Sequence, residues 1–189
     1  VKGLTKSEMA ALTTTQLTAL TSTQFAALTS TAVSGLTTEQ AAALSLDQLR
    51  ALTSTNIAAL SIDAAGALTV TALASLSTTQ VAALTSTHIP TLDTTQFDAL
   101  TTTQLAVLTS TQVKGLSEAE LDTLTTTRLG VLTSTALAGL TATQISELDV
   151  TQVAGLTVTQ IKGLAATALN ALSSTQIGQL TAAQITGLL

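Results

Sequence analysis

The chain has 189 residues, 46% of them hydrophobic and only 9% charged, with a net charge of −5 and no cysteine. So few charges, against about 25% in ordinary soluble domains, and so much Leu and Ala fit neither a usual enzyme domain nor a disordered chain, which is polar and highly charged. An acidic balance excludes a nucleic-acid backbone as partner, and the lack of Cys excludes disulfide and thiol chemistry.

The mean hydropathy is +0.52, yet the apolar residues are spread along the chain. No run approaches the roughly 20 needed to span a bilayer. From Leu4 onward, Leu recurs at every eighth position to Leu188, giving 24 Leu in 24 places and 23 complete octads without insertion or deletion. The whole chain, 1–189, reads as one continuous octad array. It opens within an octad: Val1-Lys2-Gly3 takes the places of Val113-Lys114-Gly115 and Ile161-Lys162-Gly163. A segment of a longer array is therefore expected.

Numbering each octad from its Leu, the second slot is Thr fifteen times, Ser five times, Asp at Asp93 and Asp149, and Ala only at Ala165. Three residues on, the fifth slot is Gln or Glu in 15 of 23 octads. The sixth is always apolar, from Met9, Leu17 and Phe25 to Ile185, and the eighth is Ala, Gly or Ser in 17 of 23 octads. Thr or Ser followed three residues later by Gln or Glu is a capping box, in which each side chain satisfies a backbone N–H of the other. The Leu before the cap and the apolar residue four after it form a hydrophobic staple. Thr21 with Gln24 and Thr109 with Gln112 are the candidate caps; Leu20, Phe25, Leu28, Leu100, Leu105 and Leu108 are candidate core. The small eighth slot suits a tight helix exit and a close approach of backbones.

Each octad thus predicts a mini-helix of about six residues, and the chain an all-α solenoid of very short capped helices. One long helix is excluded, because eight residues overshoot two turns by about 80° and the Leu row would wind around the cylinder. The alternative is a β-solenoid, since Thr is β-branched and alternates in Thr-x-Thr pairs such as Thr109 and Thr111. It requires a turn inside every octad, because the two large apolar slots have opposite parity. Substitutes for Thr in the second slot are Ser and Asp, which cap helices, where a strand would favour Val or Ile. Helices this short are unstable alone, so each octad depends on its neighbours. No 16-residue alternation separates paired hairpins from a single screw.

The unit Leu-Thr-x-x-Gln-apolar-x-small, seen in Leu20–Ala27, Leu76–Ala83 and Leu108–Gly115, resembles octad arrays in very large bacterial secreted or surface proteins of the adhesin and haem-utilisation exoprotein type. The resemblance covers the whole chain and implies an extracellular or cell-surface, extended, structural or adhesive role. Nothing in the residues supports haem: His88 is the sole His and Met9 the sole Met.

No nucleophile, base and acid can be assembled, so no enzyme is expected, and no cofactor or metal motif is present. His88 takes the Gln slot and reads as a tolerated, partly exposed cap variant. Glu39, Asp47 and Asp63 share the fourth slot and read as solvated acids near helix N-termini ahead of a cation ridge. The octad Leu84–Thr91, with His88 and Pro90, reads as a tolerated defect ahead of a kink or binding site, and Leu164–Ala171 loses both cap partners as Ala165 and Ala168. The expected function is a stalk or filament segment whose partner is itself; the alternative is a module binding ice or carbohydrate on a regular Thr ridge. The ends, at Val1 and at Thr186-Gly187-Leu188-Leu189, lack polar terminal octads, so end-to-end association is expected.

Overall fold

The computed structural model describes residues 3–188. Val1, Lys2 and Leu189 lie outside the described residues, and so do the expectations resting on them. Among the described residues there are twenty-two α-helices of four to six residues, a 3-10 turn at Ile89–Thr91 and no strand. Each octad contributes one of these elements, from helix Lys6–Ala11 to helix Ala182–Gly187. The β-solenoid alternative is excluded and the all-α solenoid is observed.

Local chemistry sets each helix. The cap residue is extended, as at Thr109 with φ −88° and ψ 163°, and its hydroxyl accepts from the N–H of the residue three on. The helix runs for about one turn and then meets the Leu slot, whose N–H bonds to the sixth-slot carbonyl three residues back, as Leu164 does to Ile161 at 3.1 Å. The Leu itself turns extended (φ −66°, ψ 142° at Leu164) and leads into the next cap. Pro90, which lacks an N–H, accompanies the one octad whose turn is 3-10.

The chain divides into two compact units, 1–100 and 101–189. In the first, helix Lys6–Ala11 packs on helix Ser30–Val33, and helix Thr38–Ala42 on Ile62–Gly66. In the second, Ser110–Lys114 packs on Ser134–Leu137, which packs in turn on Val158–Gly163. Each helix thus rests on the one three octads before it, and each unit is a coil rather than a row of hairpins. The sixth slot fills the coil centre: Phe25, Leu49, Ile57, Phe97, Leu105 and Leu121 are at most 1% exposed. Leu28, Leu100 and Leu108 of the Leu row are also buried. Leu20 is only half-buried, as are Leu4 and Leu12 in the same first turn of coil, because among the described residues no earlier turn covers their other side.

Of the two roles expected for the eighth slot, the close approach of backbones is observed. No glycine among the described residues has a positive φ, so no left-handed exit is used. The slot is small because coils touch there. A Cβ built on Gly139 would lie 2.0 Å from the Ser110 carbonyl oxygen, and one on Gly35 would lie 2.2 Å from that of Lys6. Both partners are the first helical residue 29 positions earlier. Gly130, in the seventh slot, meets nothing within 4 Å. Gly139→Ala is therefore expected to destabilise by about 1–3 kcal/mol, the usual cost of overpacking. Gly130→Ala should be neutral or stabilise by up to about 1 kcal/mol, as Ala for an exposed helical Gly does. Urea denaturation of the two variants checks this; equal effects would show that coil contact does not select the small slot.

Candidate functional site

The most regular polar feature is the fifth slot. Its Gln residues complete the capping box: Thr21 N–H donates to Gln24 Oε1 at 2.8 Å, and Thr109 N–H to Gln112 Oε1 at 2.8 Å. The hydroxyls of Thr21 and Thr109 accept from the Gln24 and Gln112 N–H groups, each at 3.3 Å. Gln24 is exposed, but Gln112 is 1% exposed. A capping role alone does not require burial.

In other buried members of the slot the far end of the amide is engaged as well. Gln160 Nε2 donates to the Leu129 carbonyl at 2.9 Å and the Leu132 carbonyl at 2.8 Å, which lie 31 and 28 residues earlier. Gln152 does the same to Leu121 and Leu124, both at 2.9 Å, and Gln176 to Ile145 and Leu148 at 3.0 and 2.7 Å. In the first unit Gln40 reaches Met9 and Leu12 at 2.9 and 2.7 Å, and Gln80 reaches Leu49 and Leu52, both at 2.8 Å. The acceptors are carbonyls at a helix C-terminus: the Leu-slot carbonyl lies past the last helical N–H, and the sixth-slot carbonyl takes the amide beside the Leu N–H it already accepts, as Leu129 does from Leu132. One amide therefore caps its own helix at the N-terminus and the C-terminus of a helix one turn of coil earlier. Its acceptor oxygen and both donor hydrogens are used.

The spacing also fixes the coil. A tie 28 residues back, with eight residues per octad, spans 28/8 or three and a half octads. Each helix start sits over the junction between two helices of the previous turn. Within each unit the octads then follow one another by the same step, and no 16-residue alternation is needed.

Substitutions in the slot sort by this double duty. Asn56 keeps the cap and one tie, to the Leu28 carbonyl at 3.1 Å. Ala32, Ala64, Ala72 and Ala136 still donate their N–H to the cap hydroxyl but have no amide to offer. Ala165 with Ala168 has no side-chain cap at all. His88, expected to be partly exposed, is 2% exposed. It is buried because its ring replaces the amide, with Nδ1 facing Thr85 N–H at 3.2 Å and Nε2 facing the Leu60 carbonyl at 3.0 Å.

Two Glu residues in the slot show what burial does. Glu8 is exposed, and the Thr5 N–H and hydroxyl, each 2.8 Å from Oε2, hold its carboxyl below the usual range. Glu120 makes the same cap with Ser117, both bonds to Oε2 at 2.7 Å. It is 1% exposed and its Oε1 is buried without a partner. Burial pushes its pKa up against the lowering effect of the Ser117 bonds.

Elsewhere the surface offers little chemistry. Glu39, Asp47 and Asp63 are exposed, and no group of three or more His, Cys, Asp or Glu among the described residues could hold a metal ion. A shallow open groove of about 360 Å³ is lined by Thr38, Ile62, Asp63, Gly66, Ala67 and Thr91. No helix of the described residues is long and apolar enough to cross a membrane.

Comparison with known proteins agrees with a repeat assignment. Residues 9–46 match the family model described as the ALTTAQ repeat. The chain is similar there to that repeat family. No curated protein matches the chain.

The Glu120 geometry gives a test. Glu120→Gln restores donors to a buried position and should stabilise by about 1–3 kcal/mol at pH 7, the cost of an unsatisfied buried polar group. A carboxyl with its folded pKa above the ordinary 4.5 binds more protons folded than unfolded. Stability of the parent chain through this group is thus gained as pH falls from the raised value towards 4.5, and lost as pH rises. The advantage of Glu120→Gln should narrow in acid. Urea midpoints at pH 7 and pH 4.5 measure it, and a gap that does not change with pH would contradict the assignment.

Proposed function

We propose that the chain is a structural repeat segment of an extended bacterial surface or extracellular protein, a stalk or filament element rather than a catalyst. The observation that carries this reading is the Gln tie. The recurring polar side chains buried in the coil join one turn to the previous one, which is what an axial spacer needs and what a reaction does not use. Perfect octad phase supports the same reading, because binding and catalytic proteins place function in irregular loops, and among the described residues the helices are joined only by the short linkers of the octads. The surface or extracellular setting rests on the likeness of Leu20–Ala27 and Leu108–Gly115 to octads of large bacterial exported proteins.

Self-association belongs to this proposal. The sixth slot is buried along the coil, as at Ile145 and Ile161, which are 0% and 1% exposed, whereas Ile177 and Ile185 are 43% and 36% exposed. Those two side chains lie on the face that a following turn of coil covers elsewhere. Further octads or a second copy of the chain would bury them, and a head-to-tail contact of that kind propagates. The Thr ridge is less suited to a periodic ligand such as ice. Its cap hydroxyls already accept from backbone N–H groups, and several also pair with the hydroxyl two residues on, as Thr85 does with Thr87 at 2.8 Å.

Light scattering and electron microscopy of the 189-residue chain over a concentration series test the proposal. Mass should rise with concentration, with rods lengthening end to end. A strictly monomeric chain at high concentration, with the last octads ordered by hydrogen exchange, would remove self-association from the function.

A further inference from the structure

We propose that the octad Leu84–Thr91 is an acid-labile joint of the coil, opened when the His88 imidazole takes up a second ring proton. Among the fifth-slot residues of unit 1–100 that tie one turn of coil to the previous one, His88 is the only ionisable group; Gln40, Gln48, Asn56, Gln80 and Gln96 do not titrate. Its two ring nitrogens have opposite demands. Nδ1 faces the Thr85 N–H, a donor, and must accept; Nε2 faces the Leu60 carbonyl, an acceptor, and must donate. This fixes the neutral tautomer with its hydrogen on Nε2. An imidazolium carries a hydrogen on both nitrogens, so protonation sets N–H against N–H at the cap and leaves a charge in a site that is 2% exposed.

Among the described residues of unit 1–100, the elements beside the ring bring no buried counter-charge. Helix Ile62–Gly66, which packs on the 3-10 turn, brings one titratable residue, Asp63, and it is exposed. Helix Ser54–Ala58, just before Leu60, brings none. Along the chain, helix Thr78–Ala83 brings none; the following cap and helix bring Asp93, whose carboxylate accepts from Gln96 N–H at 2.7 Å, and Asp98. The ring's hydrogen-bond partners remain the Thr85 N–H and the Leu60 carbonyl. Burial accordingly holds the His88 pKa below its ordinary 6.5, against the raising effect of the Leu60 carbonyl.

The backbone of the octad around His88 also departs from the others. Pro90 supplies no N–H, and the turn Ile89–Thr91 is 3-10 where the other octads are α-helical. Loss of the His88 tie removes the cap contact and the coil contact together. An opened joint exposes the imidazole at its ordinary affinity for protons. Stability at this octad is therefore full above pH 6.5 and lost as pH falls from there towards the lower folded value. Over that window the opening constant grows by up to about tenfold per pH unit.

The test is hydrogen exchange of the Thr85, His88 and Leu92 amides between pH 7.5 and 5, corrected for intrinsic exchange, alongside nitrogen NMR of the imidazole. The parent chain should show the Nε2–H tautomer, a His88 titration below 6.5 and falling protection in acid at this octad. His88→Gln should hold that protection flat, since Gln supplies the same bonds without titrating. A His88 that titrates at or above 6.5, or an octad equally labile in the parent and in His88→Gln, would overturn the proposal. The measurements on the parent chain decide it even if the variant folds poorly.

Discussion

A six-residue helix has more unsatisfied backbone groups than satisfied ones. Four N–H groups at its start and four carbonyls at its end lack helical partners, so an array of such helices is an array of helix ends. The structure meets this with one amide. Gln160 takes the N–H of its own cap residue on Oε1 and gives both Nε2 hydrogens to Leu129 and Leu132. Buried polar groups are costly unless bonded; here burial of the amide is the means by which two helix ends are bonded at once. The coil, its spacing and its tolerance of substitution depend on this arrangement.

The other slots follow from it. With each turn of coil held 28 residues behind the next, the sixth slot is enclosed and takes any large aliphatic or Phe. The eighth lies against the first helical residue of the turn beneath it, which explains Gly35 and Gly139 where the backbones come closest. Slots that face water are free to vary, as Arg50 and Asn170 do. The amide can be lost singly, as at Ala32 between Gln24 and Gln40, and in two successive octads, at Ala64 and Ala72. It is lost less harmlessly to an ionisable group. Glu120 keeps the cap and buries an unpaired oxygen, and His88 keeps both contacts only while neutral. Their pH responses have opposite signs because one group is buried where its proton is needed and the other where a second proton is unwelcome.

Much of the local structure was legible in sequence. The Thr and Gln spacing contains each capping box, since its two partners lie three residues apart. The coil was not legible, because its tie joins residues 28 and 31 apart and half an octad out of phase, which leaves no long-period signal. One clue was present: the fifth slot holds Gln thirteen times and Glu twice, although a capping box accepts either. Only a role for the amide hydrogens explains that preference. Reading the slot as a cap alone also placed His88 partly in solvent, an error that came from treating the fifth slot as if it had no neighbour along the coil axis. The close approach of backbones at the small slot was legible, but not the partner 29 residues earlier that it meets.

The most direct measurement compares Gln160→Glu with Gln16→Glu in urea denaturation at pH 7. Both variants keep a carboxylate able to complete the capping box. Gln16 is exposed and bonded only to Thr13, whereas Gln160 is 3% exposed and also ties to Leu129 and Leu132. If the amide hydrogens hold the coil, Gln16→Glu is near neutral. Gln160→Glu then costs about 2 kcal/mol or more, the scale of a buried polar group set against the wrong partners. Equal, small effects at both positions would mean that the slot serves only as a cap, and the account of the coil would fail.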